Sequence, residues 1–146
     1  MAHWYTADPH FGHENVIRFC GHPFANTEKM DQVLLTNLRD RVSPKDDLWI
    51  VGDFAFGPRA KDAFYLQEIF GQLPGARKHL VVGNHDLQPT LNLPWDSVGS
   101  LVELRDGPRN QLNTLCHYSQ RWSHFQSPQS RGSRQFGRLR PDRRSA

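Results

Sequence analysis

Three apolar runs in this chain break off abruptly into residues that bind or transfer protons. They are Trp4-Tyr5-Thr6-Ala7 ending in Asp8-Pro9-His10, Leu48-Trp49-Ile50-Val51 ending in Gly52-Asp53, and Val81-Val82 ending in Gly83-Asn84-His85-Asp86. A short apolar run bounded by turn residues reads as a buried strand. Three such strands, each delivering polar side chains at its carboxyl end, predict an α/β sheet with a site where the strands give out. His117, after the last apolar run, adds a seventh donor to Asp8, His10, Asp53, Asn84, His85 and Asp86.

The segments between these runs alternate with them. Helices are expected from His13 to Cys20, from Thr27 to Val42 and from Arg59 to Phe70. In the second, Met30, Val33, Leu34, Leu38 and Val42 recur at spacings of three and four and make one apolar stripe. Thr27 is its expected N-cap, and Glu28 with Asp31 suit the positive end of the helix. In the third, Ala63, Leu66 and Phe70 are expected inward. Strands are expected at about 3–7, 48–52 and 79–82. Leu101–Leu104 and Leu112–Cys116, joined through Asp106-Gly107-Pro108, read as a hairpin.

The chain's 146 residues suit one domain, and their net charge of +3 conceals an asymmetry. Residues 1–118 hold 11 Lys plus Arg against 14 Asp plus Glu, whereas residues 119–146 hold seven Arg and one Asp. The basic excess therefore belongs to the tail, where it gives weak support to nucleic-acid binding. No run approaches the ~18 apolar residues of a membrane span. The first residues do not read as a basic-plus-apolar leader, so a cytoplasmic setting with Cys20 and Cys116 reduced is the expectation. Cys116 and His117 are adjacent on a strand and point to opposite faces, which argues against a thiol–imidazole pair.

Carboxylate, imidazole and amide oxygen together suit hard-to-borderline divalent metals such as Mn, Fe or Zn. Two carboxylates on neighbouring strands can hold two cations about 3.5–4 Å apart, which lowers the pKa of a bridging water towards ~7 and clamps an in-line displacement. No covalent nucleophile suggests itself, so metal-activated water is the simplest chemistry.

In these residues the chain resembles the calcineurin-like metallophosphoesterases, whose signature runs Asp-x-His, Gly-Asp, Gly-Asn-His-Asp/Glu, a lone His, then Gly-His-x-His. The matches are Asp8-Pro9-His10, Gly52-Asp53, Gly83-Asn84-His85-Asp86 and His117; HFGHENVIRFC and GDFAFG look like small bacterial and phage-type members. The resemblance covers residues 1–118 and implies a four-layer α/β/β/α sandwich. It implies two divalent ions, Mn foremost, with Fe, Zn or Ni as alternatives. Asp8 and His10 would hold the first, Asp53 would bridge, and Asn84 with His117 would hold the second. His85 would protonate the leaving oxygen or steady the phosphoryl charge, with Asp86 orienting it. The implied function is hydrolysis of phosphoesters, diesters slightly before monoesters, on a phosphorylated small molecule or nucleotide-type substrate.

Other residues are read more plainly. His13 is a candidate contact to substrate or water. Arg18 and Arg59 read as solvated helix arginines before phosphate ligands, and His3, His22 and His79 as surface or packing histidines. Trp4, Trp49 and Trp95 read as core or pocket wall.

The family's last motif has no counterpart, because no histidine follows His124. Each metal would keep three protein ligands, and the alternative function is an impaired or non-catalytic relative that binds metal or phosphorylated ligand. From Ser119 the chain turns to Ser, Gln and Arg, as a shifted reading frame would produce. Residues 119–146 are accordingly expected to be a poorly ordered tail, leaving the sandwich incomplete on its C-terminal side with an unpaired sheet edge.

Overall fold

Strand β2 (Asp47–Val51) is buried at every position, which in a strand requires cover on both faces and pairing on both edges. A computed structural model describing residues 1–13 and 26–118 shows how this is met. β2 lies between β1 (His3–Ala7) and β3 (Arg77–Val81), parallel to both, and the short β4 (Ser97–Gly99) continues the sheet in the order β1-β2-β3-β4. Ala7, Val51 and Val81 stand in one row across the three strands. The loops that carry the polar residues therefore leave the sheet at the same level.

Alternation along β2 and β3 divides the core. Leu48, Ile50 and Leu80 face helices α1 (Thr27–Arg41) and α2 (Ala63–Gly71), packing on Leu35, Leu66, Ile69 and Phe70. Trp49, Val51 and Val81 face the other way, onto Leu115 and half-buried Val102 and Leu104. Those belong to an antiparallel hairpin, β5 (Leu101–Asp106) and β6 (Gln111–Cys116). The described residues thus form a mixed α/β fold of helices, parallel sheet and hairpin. No helix among them is long and apolar enough to cross a membrane.

Several expectations shift locally. Asn26, not Thr27, caps α1, accepting the Lys29 amide at 2.8 Å. Val33 is 39% exposed while Leu35 is fully buried, so the apolar stripe lies further round α1 than the sequence spacing implied. The helix expected from Arg59 is broken: a 3-10 turn (Pro58–Lys61) precedes α2, and Asp62 between them caps α2 through the Phe64 and Tyr65 amides. With that break Ala63 is exposed and Ile69 takes its inward place. The one-turn helix α3 (Gln88–Leu91) and β4 were not anticipated. The expected helix His13–Cys20 falls, apart from His13, outside the described residues, as do Arg18, Cys20, His22 and the tail from 119.

Trp49, His79 and Trp95 pack as expected, while Trp4 lies outside the buried core. His79 is buried, stacked on Trp49 at 4.0 Å with its Nδ1 2.7 Å from Ser97 Oγ. Trp95 packs edge-on against Phe54 and Phe70. Trp4 is 37% exposed and donates to Asp46 at 3.0 Å. Cys116 is a half-buried free thiol.

Candidate metal centre

Beyond the sheet proper, the loops after β1 and β2 continue to track each other. Asp8 donates its amide to the Gly52 carbonyl, His10 to Asp53 and Phe11 to Phe54, at 3.0–3.1 Å. This extension brings two loops side by side at the carboxyl ends of their strands. It demands unusual backbone. Asp8, His10 and Asp53 all have φ of 50–51°, and among the described non-glycine residues only Asn110, in the hairpin turn, shares that region. Left-handed backbone costs a side-chain-bearing residue about 1–2 kcal/mol. Such strain concentrates where surrounding structure holds a site in shape.

These three residues converge. Asp8, His10 and Asp53 each offer one ligand atom, all within 4.8 Å of one another. Asp53 is 4% exposed and its two oxygens have separate tasks. Oδ1 accepts the His85 amide at 2.9 Å. Oδ2 faces two imidazoles, 3.4 Å from His10 Nε2 and 3.5 Å from His117 Nε2. His117 reaches Asp8 Oδ1 through Nδ1 at 3.3 Å, and its Nε2 lies 2.9 Å from Asn84 Oδ1. Asp8, His10 and Asp53 thus form one cluster, His117 touches both carboxylates, and Asn84 joins through His117. Carboxylates, imidazoles and an amide oxygen are donor types that could hold a divalent cation.

Two glycines make the approach possible. A Cβ on Gly52, which has φ +78°, would stand 2.0 Å from His117 Nδ1. A Cβ on Gly83 would stand 2.4 Å from Asp53 Oδ1. Both motif glycines are spaces that ligands occupy.

Asp86 is employed differently from its expected support of the His85 ring. Its carboxylate accepts the backbone amides of Gly83 at 2.7 Å, Phe54 at 2.8 Å and Asp53 at 3.0 Å. Burial pushes this carboxyl above the usual range, while those three donors pull it back. Asp86 ties the β3 loop to the β2 loop and thereby fixes the backbone beneath Asp53.

The His85 ring meets the Phe56 ring edge-on at 4.3 Å, with His10 6.3 Å away. His13 joins them, 4.1 Å from Phe56, and burial followed by the neighbouring His10 and His85 imidazoles holds it below the ordinary histidine range. Arg59 pairs with Glu28 and lies over the Tyr65 ring. Asp31, expected to serve the helix dipole, is instead buried. It accepts the Gly12 amide at 3.1 Å and the Tyr65 hydroxyl, pinning the loop that carries His10 and His13. Its place one turn before Leu35, on the apolar side of α1, is the sequence signal for that role. Phe56 carried no such signal, since an aromatic in a glycine-bounded loop reads equally as core.

No family model matches the chain. Over 82 residues it is 37% identical to uncharacterized protein MJ1445 of Methanocaldococcus jannaschii, a stretch covering 55% of this chain and 44% of that protein. The crystal structure of the protein of unknown function AQ665 from Aquifex aeolicus is similar at a TM-score of 0.62 and 33% identity, over 80% of this chain and 60% of that one. The chain therefore spans about half the length of these relatives.

Proposed function

We propose that this chain is a metal-dependent phosphoester hydrolase, with diesters slightly preferred. The observation that carries the reading is Asp53 Oδ2, nearly equidistant from His10 Nε2 and His117 Nε2, with Asp8 in the same cluster and Asn84 against His117. Asp8 and His10 would hold one cation, Asn84 and His117 a second, with Asp53 shared. Bound there, the cations would supply an activated water and neutralise charge at phosphorus. His85 stands at the rim, its amide fixed on Asp53 Oδ1 and its ring against Phe56, placed to give a proton to the leaving oxygen. Phosphorylated small molecules or nucleotides are the substrate class we infer from the four motifs the chain shares with calcineurin-like metallophosphoesterases. The helix, sheet and hairpin layers correspond in this reading to three layers of that family's α/β/β/α sandwich.

Hydrolysis of bis-p-nitrophenyl phosphate by the full chain with Mn²⁺ tests the proposal, and Asp53→Asn should abolish it. A rate that survives this substitution contradicts the mechanism. A second reading, resting on four matched motifs rather than five, is an impaired or non-catalytic relative that binds metal or phosphorylated ligand. Mn²⁺ uptake by a chain that cleaves neither mono- nor diester substrates would select it.

A further inference from the structure

His10 and His13 face each other through their δ nitrogens, 3.2 Å apart. At that distance two lone pairs repel and two N–H groups collide, so one ring carries the proton and the other receives it. The remaining nitrogen of His10, Nε2, is turned towards Asp53 Oδ2 at 3.4 Å. An imidazole that meets a cation through Nε2 keeps its proton on Nδ1, and the partner of that proton decides ring orientation.

We propose that His13 is a positioning residue: its Nδ1 accepts the His10 Nδ1–H bond, leaving Nε2 of His10 bare and its ring plane fixed towards the cleft. This rests on the metal reading above and adds a residue outside the ligand set. The surroundings hold His13 in that task. Its amide closes a turn onto the His10 carbonyl at 3.1 Å. The intervening Gly12 has φ +75° and is anchored by Asp31 at 3.1 Å. A Cβ on Gly12 would approach Arg59 Cβ to 3.0 Å, so the turn is closely packed from outside. On its other side Phe56 is wedged among the three rings, 4.1 Å from His13, 4.3 Å from His85 and 5.5 Å from His10. Those contacts pack the His13 ring beside His10.

The test is calorimetric Zn²⁺ binding to the full chain as wild type, His13→Asn and His13→Phe. Asparagine puts a carbonyl oxygen where Nδ1 stands; phenylalanine keeps a ring and removes the acceptor. The expected result is about 10–100-fold weaker binding for H13F, the usual cost of losing a ligand's supporting partner, with H13N staying within a few-fold of wild type. In Zn²⁺-loaded, ¹⁵N-histidine-labelled wild type, a ¹⁵N–¹⁵N coupling across the hydrogen bond should join His10 Nδ1 to His13 Nδ1. Equal affinity of H13F and wild type, or absence of that coupling with both rings resolved, overturns the inference and leaves the metal reading standing. Wild type that takes up no Zn²⁺ overturns the metal reading and this inference with it. Should H13F fail to fold, the coupling in wild type decides.

Discussion

The Asp86 carboxylate accepts the Asp53 backbone amide at 3.0 Å, so a buried side chain of one loop sets the backbone of Asp53 on another. Asp86→Ala would strand three amide donors, those of Gly83, Asp53 and Phe54. At about 1–3 kcal/mol for each buried donor left unsatisfied, the variant should lose at least ~3 kcal/mol in urea unfolding and most of its metal affinity. Unchanged stability would mean that these amides find other acceptors.

Gly52→Ala should displace His117. The added methyl would lie 2.0 Å from Nδ1 of that ring, and φ +78° strains any side-chain-bearing residue. Expected are a loss of about 1–2 kcal/mol from the backbone alone and weaker binding of Mn²⁺ by calorimetry. Retained affinity would show that His117 has room to retreat and still reach the cleft.

Metal should stabilise the fold. A cation that binds the native chain and not the unfolded one adds about 2.7 kcal/mol at one hundred times its dissociation constant. The unfolding midpoint of chelator-treated protein should therefore rise steadily with added Mn²⁺, and Asp53→Asn should flatten the rise. A midpoint indifferent to Mn²⁺ would contradict the candidate centre.

Stability should also fall on mild acidification, partly through His79. Burial, the leading cause, holds this imidazole below the ordinary histidine range despite nearby Asp47. Above the unfolded value of about 6.5 both states are neutral and its contribution is complete. As pH drops through that value the unfolded chain takes up a proton that the native chain refuses, and stability is lost until the folded pKa is reached. Urea unfolding between pH 7.5 and 5 should show this slope. His79→Gln should reduce it, with His13 retaining a share, since burial depresses that group as well. An identical slope in H79Q would clear His79 of the effect.

Much of this was legible in the chain. The apolar runs at 3–7 and 48–51 are strands because every second residue finds a layer to pack on, and their polar endings fall at one level because the pairing is parallel and in register. Asp8, His10, Asp53 and Asn84 are carried to one end of the sheet for that reason, whereas His117 arrives from the end of the hairpin. The misreadings are tertiary in origin. Asp86 was expected to orient His85 and Asp31 to serve the helix dipole, yet both are buried and accept backbone amides of the loops around the site. The interruption at Asp62 was hidden because Arg59 to Phe70 keeps a helical rhythm across a side chain that in fact restarts the helix. Asn26 is the cap in place of Thr27, and asparagine is the stronger N-cap of the two residue types.

Since Ala7, Val51 and Val81 align in one row, Asp8, Asp53 and Asn84 share a rim only after β1, β2 and β3 have paired across long stretches of chain. Parallel pairing of this kind forms slowly. During refolding, the capacity to capture a cation should consequently return late, behind helix formation, and a dye that competes for Zn²⁺ would serve as a clock for completion of the sheet.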